Sequence, residues 1–150
     1  MTIHSSHPFA DPELDPVRRF RGRLGGAVTL WTAGADSERA GLTVTSLMVA
    51  HGEPPRVLAL VDPDSDLVDA VESSGRAVVQ MLQWEDRGLA EAFAGTAPAP
   101  GGGFRQRPFV DTEWGPRLES SRTWAGARLE SFAEVGWSRL LTCVLEHVEV

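Results

Sequence analysis

The sequence predicts a mainly β, antiparallel barrel of the α+β class. Short runs rich in β-branched and apolar residues recur along the chain, each bounded by glycine, proline or acidic turn residues. Only two or three short stretches carry a helical period, and that mixture indicates a closed antiparallel sheet, not a parallel one. With 150 residues, the chain makes one domain long enough to bury a real core.

The elements follow in order. Residues 1–15 hold prolines and serines without periodicity and are expected to form a flexible arm, leaving residues 16–150 as the domain. Pro16 opens a helix over 16–24. Its Val17, Phe20 and Leu24 are spaced to pack inward, which leaves Arg18, Arg19, Arg21 and Arg23 on a solvated face. Strands are predicted at 27–33, 40–48 and 56–62. In the second of these, Thr43 and Thr45 share one face and Leu42 and Val44 the other. One face can then enter a core while the other offers hydroxyls that donate and accept, a surface suited to a polyol-and-phosphate ligand. The simpler alternative is that threonine favours β-structure.

Ser65 reads as the N-cap of a helix over 66–74, with Asp66 and Asp69 in its first turn. A strand over 78–84 and a helix over 85–94 come next. The Pro-, Ala- and Gly-rich run 96–103 is expected to be a mobile loop near whatever the barrel binds. Strands over 123–133 and 137–149, separated by a turn at Glu134-Val135-Gly136, close the sheet. Trp31 and Trp124 fit core strands, and Trp84, Trp114 and Trp137 are candidates for a stacking wall or a dimer contact.

Composition excludes several chemistries. All fourteen basic residues are arginine, and lysine, asparagine and tyrosine are absent. There is accordingly no phosphate-loop lysine, no pyridoxal Schiff base and no catalytic tyrosine. A net charge of −7 argues against nucleic acid or an anionic membrane surface as partner. Cys143 stands alone in an apolar run and reads as core, so no disulfide framework is expected, and a reduced, cytoplasmic setting is the simplest reading. No run of eighteen apolar residues suggests a membrane span, and the N-terminus lacks the pattern of a secretory signal. His4, His7, His51 and His147 are too scattered to form a metal site, so none is expected.

Several segments together resemble one known family. They are Ala27-Val28-Thr29-Leu30-Trp31-Thr32, the glycine-threonine-serine strand Gly41 to Ser46, Glu53-Pro54-Pro55, and the apolar strand ending at Asp62 with its Ser-initiated helix. Ser74 to Val79, Leu89 to Gly95, and the late Trp114, Pro116 to Glu119 and Trp124 complete the order. From about Arg18 onward the chain resembles the flavin reductase-like family of flavin-binding split barrels. The resemblance implies a Greek-key split barrel that dimerises, with FMN or FAD bound in a groove near the subunit interface. The flavin would lie along Thr43, Val44, Thr45, Ser46 and Leu47, with its phosphate near Asp62 and Ser65 at the amino end of the following helix. NAD(P)H would supply the hydride, and reduced flavin would pass to a partner monooxygenase.

Three positions depart from the family pattern. The phosphate turn reads Asp62-Pro63-Asp64-Ser65-Asp66 where relatives favour positive charge, with Arg18, Arg39 or Arg122 as candidates to offset it. The final hairpin reads Gly136-Trp137-Ser138, so Ser138 stands where the usual histidine would be. Cys143-Val144 replaces a glycine-glutamate pair. The alternative is thus a diverged split-barrel protein with a binding or structural role and weak or no flavin reduction.

Overall fold

In the computed structural model, residues 15–96 and 101–150 are described. Seven strands form one sheet: β1 (Thr29–Ala33), β2 (Ala40–Val44), β3 (Leu47–Ala50), β4 (Arg56–Val61), β5 (Arg76–Met81), β8 (Trp124–Val135) and β9 (Ser138–Glu149). A separate hairpin pairs β6 (Phe109–Thr112) with β7 (Gly115–Leu118), and the helices are α1 (Pro16–Leu24), α2 (Asp66–Ser74) and α3 (Arg87–Ala94). The strand order of the large sheet is β2-β1-β5-β8-β9-β4-β3, and every pairing is antiparallel.

That order dictates the shape. β2 and β3 lie at opposite edges of the sheet, yet only Thr45 and Ser46 separate them in the chain. Laid flat, seven strands at their usual spacing would put those edges about 29 Å apart. Two linking residues reach only about 10 Å. The sheet must therefore curl until its edges nearly meet, which is the split barrel expected from the sequence. At the seam the Leu60 amide donates to the Ser46 carbonyl (3.0 Å) and the Ser46 hydroxyl donates to the Leu60 carbonyl (2.7 Å), extending the β3–β4 ladder one step into the link.

The barrel interior holds Trp31, Val57, Ala59, Leu141 and Cys143, all nearly or fully buried. Onto them α2 sets Leu67, Val68 and Val71. Its start matches the expectation: the Ser65 hydroxyl accepts from the Val68 amide, and Gly75 ends the helix in the left-handed region. A second apolar cluster, Leu30, Leu82, Leu89 and Leu118, lies outside β1 under α3 and the β6–β7 hairpin. There the Phe93 ring takes the room left by Gly41 and Gly103, since a Cβ on either would meet it at 2.6 Å. The hairpin is fastened by buried polar groups. Gln80 donates to the Thr32 hydroxyl (3.0 Å) and accepts from the Leu118 amide (2.7 Å), while Thr32 donates to the Pro116 carbonyl. Satisfied in this way, both buried side chains are tolerated.

Several expectations are corrected. The strand over 40–48 is two strands on opposite edges, because the chain leaves one edge at Val44 and joins the other at Leu47. Val17, Phe20 and Leu24 do not pack inward within the chain: they are 74%, 66% and 69% exposed. The last turn is Gly136-Trp137, with Glu134 and Val135 still paired in β8. The β6–β7 hairpin is unforeseen, since four-residue strands carrying Pro116 and Gly115 show no alternating signal. Most of the expected arm, and residues 97–100 of the expected loop, lie outside the described residues.

Candidate functional site

Beside the seam lies a groove of about 490 Å³ built from four elements. The start of α1 contributes Val17, Arg18 and Arg21; the seam contributes Ser46. Leu60, Asp62 and Asp64 come from the end of β4 and the turn after it, and Trp137 and Ser138 from the β8–β9 hairpin. Antiparallel register explains this convergence. Val61 pairs with Arg139, so the end of β4 lies beside the start of β9, and the two-residue turn holds Trp137 at the hairpin tip. Trp137 is 59% exposed.

Of the expected site residues, Ser46, Asp62 and Ser138 line this groove together. Thr45 is exposed next to Ser46 and makes no side-chain hydrogen bond among the described residues, and Leu47 opens β3 half-buried. Thr43 and Val44 point elsewhere. The Thr43 hydroxyl donates to the Ala90 carbonyl of α3 (2.5 Å), and Val44 is in the core. Ser65, one residue beyond Asp64, is occupied as the α2 cap and also donates to the Asp62 carbonyl (2.7 Å). A cavity of about 520 Å³ between the β1–β2 turn and α2 is as large and includes Arg39 and Asp66. It holds none of Thr43 to Leu47, Asp62, Ser65 or Ser138, so convergence and not size selects the first groove.

Arg21, which sequence reasoning put on a solvated face, is a groove residue, as is Arg18. Their spacing of three along α1 was the available signal. Of the other compensating candidates, the Arg39 guanidinium lies over the Phe104 ring at 4.6 Å, and Arg122 is exposed beyond the groove. Asp62 accepts from the Asp64 amide (2.9 Å), and Asp15 caps α1 by accepting from the Val17 and Arg18 amides.

The remaining ionisable and aromatic candidates lie outside the groove. Burial pushes the Cys143 thiol up to about 12, which leaves it protonated and unreactive. His147 stacks on Trp114 (5.3 Å between ring centres) and tilts against Trp124 (4.8 Å), with its Nε2 2.7 Å from Glu149. Trp114 lies over Gly126, where a Cβ would meet its ring at 2.2 Å, and donates to Glu146 (2.9 Å). Trp114 therefore pins the β6–β7 hairpin and forms no wall of the groove. Hydrogen bonds from His147 and from Trp114 hold Glu149 and Glu146, respectively, below the usual carboxylate range. Among the described residues, no group of three histidine, cysteine or acidic side chains is placed to hold a metal, and no helix is long and apolar enough to cross a membrane.

Comparison with known proteins fits this geometry. The family profile described as "Flavin reductase like domain" matches residues 21–150. The chain belongs to the flavin reductase-like family. It is 30% identical to an FMN reductase (NADH) of Methylorubrum extorquens over 91% of this chain and 81% of that one. It is 25% identical to the reductase component of 4-hydroxyphenylacetate 3-monooxygenase from Pseudomonas aeruginosa, over 93% of this chain and 84% of that one. Among solved structures, the NADH:FAD oxidoreductase of Streptomyces globisporus C-1027 superposes with a TM-score of 0.76 at 22% identity, covering 95% of this chain and 86% of the other. At 18% identity, the styrene monooxygenase flavin reductase of Pseudomonas putida S12 gives 0.74 over 88% and 86%. These structures share the split-barrel fold. In this chain the β4–α2 turn carries Asp62, Asp64 and Asp66, and Ser138 opens β9 in the closing hairpin.

Proposed function

We propose that this protein is an NAD(P)H-dependent flavin reductase that takes FMN or FAD and passes reduced flavin to a partner monooxygenase. One observation carries the reading: the seam where the barrel edges meet opens onto the groove in which Ser46, Asp62 and Ser138 converge. The groove's volume lies within the roughly 300–1,000 Å³ usual for small-molecule sites. Its composition also fits a flavin. Val17, Leu60 and Trp137 give apolar surface for a fused ring, and Ser46, with Thr45 exposed next to it in the chain, gives a hydroxyl for a polyol. The Ser46 hydroxyl spends its proton on Leu60 and keeps its lone pairs for a ligand donor.

Flavin, when bound, supplies the hydride chemistry, and the chain supplies position, exclusion of water and electrostatics. Ser138 offers a hydroxyl where an imidazole would offer a titrating ring, so it can orient a ligand but holds no proton that ionises near neutrality. Homodimerisation belongs to the same proposal. The exposed apolar side chains of α1, Met48 and Val49 of β3, and Trp137 amount to more open apolar surface than one small barrel requires. Sedimentation at micromolar concentration is expected to give a dimer in a reduced, cytoplasmic-type buffer.

The deciding experiment is flavin titration followed by NADH and NADPH oxidation with FMN, FAD and riboflavin. Saturable binding with flavin-dependent nicotinamide oxidation is expected. Thr45→Val should weaken flavin binding by about 1 kcal/mol, one neutral hydrogen bond. Binding without turnover would favour a diverged binding protein, as the acidic turn and Ser138 allow. Absence of both binding and turnover would overturn the proposal.

A further inference from the structure

Resting on the flavin reading, we infer that the groove divides flavin mononucleotide between two walls: Arg21 of α1 takes the phosphate, and Asp62 with Asp64 takes the ribityl hydroxyls. Arg18 and Arg21 lie three residues apart, on one face of α1, and both line the groove. Asp62 and Asp64 line the turn that bounds it elsewhere. Among the described residues no ion pair joins Arg21 to either aspartate.

The amino end of α2 is poorly suited to a phosphate. The Ser65 hydroxyl already accepts from Val68, and Asp66 and Asp69 occupy the first turn, so carboxylates already meet the positive end of the helix dipole. A dianion there would face Asp62, Asp64 and Asp66 together. Carboxylates only accept hydrogen bonds, and the hydroxyls of a polyol are donors that match them. Asp62 has one oxygen engaged by the Asp64 amide and the other available. The planar guanidinium fork matches phosphate oxygens. Asp15 also lines the groove, at the start of α1, with one oxygen engaged by the Val17 and Arg18 amides. Three aspartates against two arginines leave the groove one unit negative, so a phosphate is favoured only against α1.

The test is a fluorescence titration of FMN and riboflavin against wild type, Arg21→Ala and Asp64→Asn, at low and high salt. Arg21→Ala should weaken FMN by about fivefold at low salt, with the loss shrinking at high salt, and leave riboflavin unchanged. Asp64→Asn should weaken both flavins alike, by about fivefold. Equal weakening of both flavins by Arg21→Ala, or unchanged FMN affinity in that variant, overturns the phosphate assignment. Asp64→Asn strengthening FMN alone would return the phosphate to the β4–α2 turn. Failure of the wild type to bind either flavin would overturn the flavin reading itself, a result distinct from normal binding that ignores Arg21.

Discussion

Helices α1 and α2 are each nine residues long, each amphipathic, and each capped by a side chain that accepts from first-turn amides. Yet α2 buries Leu67, Val68, Ala70 and Val71, whereas α1 buries nothing. Periodicity states which face is apolar; topology decides what covers it. α2 is tied at both ends to strands of the closed barrel, β4 before it and β5 after it, and so is held over the core. α1 is joined through Gly25 and Gly26 to β1, and its Arg18 and Arg21 border the groove. The apolar stripe of α1 is expected to pack inward and does not do so within the chain, whereas α2, expected from its Ser65 cap and acidic first turn, is covered.

The largest effect should come from cutting the covered face. Leu67→Ala, at a fully buried site, is expected to cost about 3 kcal/mol in urea unfolding, from lost burial and the cavity left behind. The matching change Phe20→Ala in α1 should stay within about 0.5 kcal/mol at concentrations low enough to separate subunits. At high concentration it should lower stability in proportion to lost assembly. A Phe20→Ala loss near that of Leu67→Ala at every concentration would mean that α1 is covered by its own chain.

Two glycines sharpen the contrast at smaller scale. Gly41→Ala would drive a methyl into the Phe93 ring, itself packed edge-on by Phe104 and Phe109, and should cost about 1–3 kcal/mol. Gly22 in α1 has nothing within 4 Å of its added Cβ, so Gly22→Ala should raise stability by about 0.5 kcal/mol through helix propensity. Chemical denaturation of the two variants side by side reads both signs. A neutral Gly41→Ala would show that Phe93 can move out of its seat.

The same pair shows how far the sequence could be read. Gly41 looked like part of a ligand-facing strand, and it does sit in β2, but its small size serves Phe93 from α3, fifty-two residues away. Thr43 was grouped with Thr45 because they alternate on a strand, yet the strand stops at Val44; Thr43 bonds α3 while Thr45 sits in the seam. Local alternation cannot report that two consecutive strands occupy opposite edges of one sheet, since that follows only from long-range pairing. Where local chemistry suffices, as at Ser65 capping a helix over 66–74, the reading matches the structure to the residue. The convergence of Arg21 with Ser46 and Trp137 depends on where α1 comes to rest, and no short-range pattern encodes that.

The smallest expected effect concerns polar contacts, where covering matters as it does for helices. Glu130 is held below the usual carboxylate range by its hydrogen bond from Arg56, Glu146 by that from Trp114, and Glu149 by that from His147; all three lie at the surface. A carboxylate whose folded pKa is depressed adds stability that is fully present above its unfolded pKa, near 4.5. That contribution is lost as pH falls through the lower, folded value, so the Arg56–Glu130 and Trp114–Glu146 contacts should weaken below about pH 4.5. Solvent screening keeps each contribution small, and salt should reduce it further. Glu146→Gln keeps an acceptor for the Trp114 indole but removes the charge facing Arg128. Its melting temperature should nearly match wild type at pH 7 and fall slightly less steeply between pH 4.5 and 3. Parallel acid limbs for variant and wild type would show that the Trp114–Glu146–Arg128 contacts contribute nothing through charge, and that the hairpin is held by the seat of Trp114 on Gly126 alone.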